Sequence, residues 1–361
     1  MKQIVIICIL FSLKISSGQI NMDTIYGNPK SVREKVEFLN TKKQNHQFMS
    51  GDGDYGHATI FFPKNIKGRF YSYWFEGVDC FYINYYKTFL KNGKPSYEVW
   101  YNKDGSFNRK YSYKYDDKNN LIIKKDSGYY ESINVKRHYY DYKGNLQTVL
   151  SHYLDEYNSY SYRIYKYDNL DRLIREEYYS EEGYHYSFNR FYNEEDDKLI
   201  RIERHFPLGK LKTNTNDNEI VLYTYDYDKL GNITRELRFN EETQMVNRKI
   251  VYEYDDFNNL IKRTSYRSLT EINVFDRQEY TFNKKNLKIK EKRISSTLDN
   301  EVMKMQYSEN NYIIEVNLVK GDKEYKIKFD YKFDKNGNWV KVIKNVNDEP
   351  LYIWTREIEY Y

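Results

Sequence analysis

The 361-residue sequence has one alanine (Ala58), five prolines and two cysteines. Helical bundles are built largely from alanine and other strong helix formers, so this near absence argues against one. Apolar runs are short as well. The longest, Ile4 to Leu13, has ten residues, about half of a membrane-spanning helix, and hydrophobics reach only 40% against 31% charged. A multi-span membrane protein is excluded by that balance. Cysteine is too scarce for a disulfide framework. If Cys8 is lost with a leader, Cys80 stands alone, and stability must come from packing and strand pairing. In Val78-Asp79-Cys80-Phe81-Tyr82 it reads as a small buried apolar residue rather than a reactive thiol.

The first eighteen residues read as a targeting segment. Lys2 supplies a basic start and Ile4–Leu13 an apolar stretch, and Ser16 and Gly18 occupy the small positions before Gln19. The expectation is a cleaved signal peptide over 1–18 and a chain that is secreted, periplasmic or at the cell surface. Without Lys2 and Lys14 the net charge falls from +5 to +3. So slight a basicity implies no nucleic-acid partner and no membrane-surface partner, and the mature chain has no candidate transmembrane segment.

Aromatics are what the chain has in excess: 42 Tyr, 19 Phe and 4 Trp. Disordered chains are poor in these residues. Their placement is periodic. An aromatic followed by Asp, Asn or Ser recurs at Tyr115, Tyr140, Tyr167, Tyr192, Tyr227, Tyr254, Phe282, Tyr307 and Phe333, with spacings of 25, 27, 25, 35, 27, 28, 25 and 26 residues. Such a period marks a repeat architecture and overrides a domain count taken from length.

The register inside each unit specifies a turn. Six residues after the aromatic stands an apolar residue in six units: Leu121, Leu146, Leu173, Ile233, Leu260 and Trp339. Two residues before each stand Asn119, Gly144, Asp171, Gly231, Asn258 and Gly337, the residue types that tolerate positive φ. A type I turn followed by a left-handed residue closes a hairpin with a G1 bulge, and the leading Asp can bond the turn's amides. Between turns, Tyr223, Tyr225 and Tyr227 share one face by their period of two, as do Tyr331 and Phe333. The expected fold is all-β: an antiparallel meander of about nine two-stranded repeats over 111–361. Some eighteen strands exceed what an open sheet holds flat, so a curled or spiralling sheet is expected.

Tyr140-Asp141-Tyr142-Lys143-Gly144-Asn145-Leu146 resembles the YD repeat of the Rhs family, which includes polymorphic toxins, insecticidal toxin-complex shell proteins and teneurins. The resemblance covers about 111–361 and implies an antiparallel sheet that can wrap into a shell, with surface or carbohydrate contact in some members. The family's Gly-Arg pair survives only loosely, in Asp171-Arg172-Leu173, and no proline follows an aspartate as in the toxins' self-cleaving core. The chain therefore looks like a short secreted YD-repeat protein rather than a toxin.

Residues 19–110 lack the register and read as a divergent β region capping the array. Ser31–Phe38 suits an edge-like first strand, with a helix as the alternative, and Asn92-Gly93 and Lys103-Asp104-Gly105 signal hairpins. Candidate chemistry is thin. Asp52, Asp54 and His57 form a Gly-rich acidic loop, but Pro63 stands where an EF-hand needs Glu, which favours a solvated turn. His46, His138, His152, His185 and His205 are dispersed. Glu181-Glu182, Glu194-Glu195 and Glu241-Glu242 fall at turns, where a glycosidase pair across a cleft is not to be expected. Asn232-Ile233-Thr234 matches a glycosylation acceptor and also the repeat's own turn exit. No catalytic, cofactor-binding or metal-binding residue is named by the sequence, and no cofactor is implied. The functional expectation is a non-enzymatic binding or structural module for a surface glycan or envelope protein. A polysaccharide hydrolase with an unrecognised site and an accessory protein of a toxin system are the alternatives.

Overall fold

The computed structural model describes residues 25–39, 74–80, 82–128, 132–154, 158–207 and 218–361. The leader and the Asp52, Asp54 and His57 loop lie outside them. Among the described residues, twenty-two strands follow one another. The first eleven are β1 (Pro29–Phe38), β2 (Asn84–Phe89), β3 (Pro95–Tyr101), β4 (Phe107–Tyr115), β5 (Leu121–Gly128), β6 (Ile133–Tyr140), β7 (Leu146–Leu154), β8 (Ser159–Tyr167), β9 (Leu173–Ser180), β10 (Gly183–Tyr192) and β11 (Leu199–His205). The rest are β12 (Glu219–Tyr227), β13 (Ile233–Phe239), β14 (Val246–Tyr254), β15 (Leu260–Tyr266), β16 (Asp276–Phe282), β17 (Lys288–Ser295), β18 (Glu301–Tyr307), β19 (Ile313–Lys320), β20 (Lys323–Phe333), β21 (Trp339–Val346) and β22 (Glu349–Tyr360). Each pairs antiparallel with its sequence neighbours, and β1 also pairs with β22.

The sheet is therefore a closed 22-stranded barrel, not the open spiralling sheet of nine two-stranded repeats that the sequence suggests. Nine repeat turns join β4 to β21; β1, β2, β3 and β22 complete the ring. Ser31–Phe38 is a strand but not an edge. It bonds β2 on one side and β22 on the other, from Ser31↔Glu359 to Phe38↔Tyr352. The physical reason is the cost of free edges. Open, β1 and β22 would each present unpaired amides beside apolar side chains; closure removes both edges. A buried contact set secures the seam. Arg356 pairs with Glu34 at 2.7 Å, the Trp354 indole N–H donates to the same carboxylate at 3.0 Å, and the Arg356 guanidinium lies 3.7 Å from the Trp339 ring centre. Both charges are buried, and these contacts are what make the burial tolerable.

The turns follow the sequence reading closely. Asn119, Gly144, Asp171, Gly231, Asn258 and Gly337 all have positive φ, between 59° and 92°. At Asp228 the carboxylate accepts from the amides of Leu230 (2.9 Å) and Asn232 (2.9 Å) and from the Asn232 side chain (2.9 Å). Asp255 does the same with Phe257, Asn259 and the Asn259 side chain. Burial raises the pKa of these turn carboxyls, yet the amide and side-chain bonds outweigh it and the net shift is downward. The Asn232 amide nitrogen is thus already used within its turn, which supports the turn reading of that tripeptide.

The repeat tyrosine has a task of its own. Its hydroxyl reaches back to the repeat before and donates to the backbone carbonyl where that repeat's turn ends. Tyr140 bonds Leu121 O (2.9 Å), Tyr167 bonds Leu146 O (3.0 Å), Tyr192 bonds Leu173 O (2.9 Å), Tyr227 bonds Leu199 O (2.7 Å), Tyr254 bonds Ile233 O (3.0 Å) and Tyr307 bonds Lys288 O (2.6 Å). Phe282 and Phe333 lack the hydroxyl. At the second of these Tyr331 substitutes, donating to Ile313 O at 2.7 Å.

The dry core occupies one arc. Trp74, Phe75 and Cys80, from the connection between β1 and β2, pack against Trp354, Trp339, Tyr352, Phe329, Ile327, Val316 and Met303. One short segment meeting strands from β18 round to β4 on the same face places it inside the ring. Glu76 anchors it: Lys288 and Arg293 of β17 each hold its carboxylate at 2.8 Å. Cys80 is fully buried and burial pushes its thiol up, in keeping with a packing role. A circular barrel of this strand number would be about 40 Å across, too wide for inward side chains to meet. Away from the plugged arc the inner wall stays wet: the Arg163 and Arg238 side chains keep 50% and 45% exposure.

Candidate functional site on the barrel wall

Alternation along each strand sends one set of residues inward and the other outward. Following the cross-strand pairs from the core, Arg163, Tyr165, Glu176, Tyr178, Phe188 and Arg204 line the inner wall. There cations lie over rings: Arg163 over Tyr178 at 4.6 Å, Arg204 over Tyr186 at 5.3 Å and over Phe188 at 5.1 Å. Carboxylates neutralise cations on the same wall, as Glu176 does for Arg163 (3.7 Å) and Arg190 (3.3 Å) and Glu236 for Arg238 (2.6 Å). Burial is the largest cause that pushes the Tyr178, Tyr225 and Tyr252 phenols upward, so they remain donors at neutral pH.

The outer wall is charged at mid-strand. Arg235–Asp226, Lys262–Glu253, Arg277–Glu279 and Lys166–Glu177 are outward ion pairs. A lipid-facing barrel carries an apolar band there, and charges at its mid-height are costly. No helix among the described residues is long and apolar enough to cross a membrane.

Between β7 and β12 the outer wall changes character. His152 stacks on Tyr160 (ring centres 4.3 Å apart, 16° between planes), and Tyr162 stacks on Tyr179 (4.6 Å, 4°), which meets Tyr184 at 5.4 Å. The Tyr184 hydroxyl touches Ser187 Oγ and His205 O, both at 3.1 Å. Beside it His205 is flanked by carboxylates: Nε2 is 3.0 Å from Glu203 and Nδ1 is 3.0 Å from Glu219. Register builds the cluster. Glu203 and His205 lie two apart on β11, and Glu219 is directly opposite His205 on β12. The three lie close enough to hold one ion.

Among the described residues, the histidines read as dispersed do not converge on one another; His46 lies outside them. His138 is half-buried and its pKa is lowered, first by burial and then by Lys136; His185 bonds Ser180 at 2.5 Å. Only Glu203-x-His205 carried a local signal, a ligand-type pair at strand spacing. Glu219 lies fourteen residues later and joins it only through pairing. The acidic pairs at 181–182, 194–195 and 241–242 are exposed at turns.

No protein-family model matches the chain, and no curated protein matches it. Among solved structures it is similar to the TcdB2-TccC3 crystal structure, with 11% identity over 74% of this chain and 16% of that one, at a TM-score of 0.42. A TcdB2-TccC3-TEV structure aligns over 89% of this chain and 19% of its own, again at 11% identity and 0.42. A porin-like protein from Bacteroides uniformis aligns over 70% and 95%, with 10% identity and a TM-score of 0.22. The chain thus spans less than a fifth of the toxin-complex chains it aligns with. With every score below 0.5, the functional reading rests on the chain's own geometry.

Proposed function

We propose that the barrel is a non-enzymatic binding or structural module, acting outside the cytoplasm, whose aromatic outer wall between β7 and β12 takes a surface glycan or an envelope protein. The observation that carries this is the stacked row Tyr160–His152, Tyr162–Tyr179 and Tyr184 on an otherwise ion-paired surface. Flat rings at the surface offer sugars or side chains a stacking face at little entropic cost, because the rings already hold one another in place. The inner carboxylates that gather cations, Glu76, Glu291, Glu176 and Glu236, serve as counter-ions, a structural use.

The test is a screen of the purified mature chain against glycan and envelope-protein arrays, with reducing-sugar release followed in parallel. Tyr162→Ala together with Tyr179→Ala should weaken retention of the best ligand by about tenfold or more, on the scale of one to two lost stacking contacts. Retention unchanged in that variant refutes the proposed face. Turnover abolished by one carboxylate substitution would replace the module by a hydrolase.

A further inference from the structure

We infer that Glu203, His205 and Asn189 form a binding site for a divalent transition-metal cation of the zinc class on the outer wall, with Glu219 as the group that orients the imidazole. This inference stands independently of the glycan or protein reading.

The protons on His205 decide what the site can hold. Glu219 Oε1 lies 3.0 Å from Nδ1, which is the distance for an N–H donating to a carboxylate. Asn189 Nδ2 lies 3.0 Å from Nε2, and the Ser187 hydroxyl donates to Asn189 Oδ1 at 3.3 Å, which orients that amide. An NH2 aimed at Nε2 requires a lone pair there. Yet Glu203 Oε2 is also 3.0 Å from Nε2. A carboxylate oxygen facing a ring-nitrogen lone pair at that distance is a contact of two acceptors, and a cation between them relieves it.

The spacing suits such an ion. Two ligands about 2.1 Å from a metal are about 3.0 Å apart at right angles and about 3.4 Å apart at the tetrahedral angle, so Nε2 and Oε2 need open by only a few tenths of an ångström to hold zinc. The Nδ1–H···Glu219 bond is the usual way a ligating histidine is locked into the tautomer that offers Nε2. An ion on Nε2 takes the place of the Asn189 NH2 there; the amide then turns over, gives up its bond from Ser187 and brings its oxygen to the ion as a third ligand. One imidazole and oxygen donors match the preference of borderline cations rather than calcium or magnesium. Access is open from one side: the Glu219 side chain is 61% exposed, whereas that of Glu203 is 11% exposed and is further held by Arg201 at 2.8 Å. Arg201 competes for one Glu203 oxygen, Oε1, and leaves Oε2 for the ion.

The alternative occupant is a proton. An imidazolium bonded to both carboxylates, with the Asn189 amide turned over, would satisfy every partner without a metal. Titration calorimetry of the mature chain with Zn2+ separates the two, backed by the visible absorption of Co2+ in the same site. One equivalent of Zn2+ should bind, and His205→Ala should lower the affinity by about 100-fold or more. Glu219→Gln, which keeps the packing but weakens the orienting bond, should lower it by about 10- to 100-fold. His138→Ala, at a half-buried position on β6, should leave it unchanged. Circular dichroism of each variant confirms that the barrel remains folded. Zn2+ failing to bind, or binding equally to His205→Ala, overturns the site and leaves the imidazolium pair.

Discussion

Replacing six of the bonded repeat tyrosines together (Tyr140, Tyr167, Tyr192, Tyr227, Tyr254 and Tyr307, each to Phe) tests the inter-repeat ladder directly. Each substitution removes one hydroxyl and leaves the ring in place. A hydrogen bond of this kind is worth about 1 kcal/mol net. The rungs lie two strands apart, close to 10 Å, so their losses should add to about 6 kcal/mol. Unfolding entropy of about 2.1 cal/mol/K per residue gives about 0.76 kcal/mol/K for a chain of this length, and the melting midpoint should fall by about 8 °C. Near-ultraviolet circular dichroism at a fixed scan rate is the assay, since a closed barrel can unfold irreversibly. Tyr142→Phe is the control, because that ring is 86% exposed at a turn tip. A six-fold variant melting within about 2 °C of the native protein would refute the ladder as a source of stability.

Two further outcomes are expected. Gly231 has a φ of 90°, so Gly231→Val should cost about 1–3 kcal/mol in thermal or denaturant melts, whereas Gly231→Asn should be nearly neutral, because Asn119 (66°) and Asn258 (68°) hold the same turn position; equal melts for the two would refute the turn assignment. Burial pushes the Tyr227, Tyr280 and Tyr307 phenols up to about 12. A folded pKa above the unfolded value near 10 favours the protonated native state, so this stability is whole below pH 10 and is lost between about pH 10 and 12. Denaturant midpoints should fall across that window as phenolate absorbance rises; a midpoint that stays level would contradict the burial of these rings.

The turns were the most legible part of the molecule, because a turn is local: Asp228, Gly231 and Asn232 specify it within five residues. The tyrosine ladder was not. Its acceptor is a backbone carbonyl some twenty residues upstream, and Phe282 and Phe333 in the same series disguise the need for a hydroxyl. Closure was less legible still. β1 and β22 carry no repeat signature, and what joins them is a buried Glu34–Arg356 pair 322 residues apart in sequence. A repeat series specifies twist and curvature from one unit to the next, but not where the count stops. The candidate metal cluster failed to appear for a similar reason: Glu203-x-His205 is too common a pattern to signal a ligand pair until Glu219 is placed opposite it.

The seam between the first and last strands imposes an order in time. β1 is made before the other twenty-one strands, yet one of its two partners, β22, follows all of them. Bringing such distant segments together costs about 5 kcal/mol of chain entropy. Until then the nascent sheet has a free edge at each end, and its inner apolar residues Val36, Tyr352 and Trp354 have not yet been sealed together. The growing hairpins can form one by one, each within its own turn, but the finished ring is an all-or-nothing event that waits for residue 360. A chain halted a strand early would keep most of its hairpins and still be an aggregation-prone ribbon.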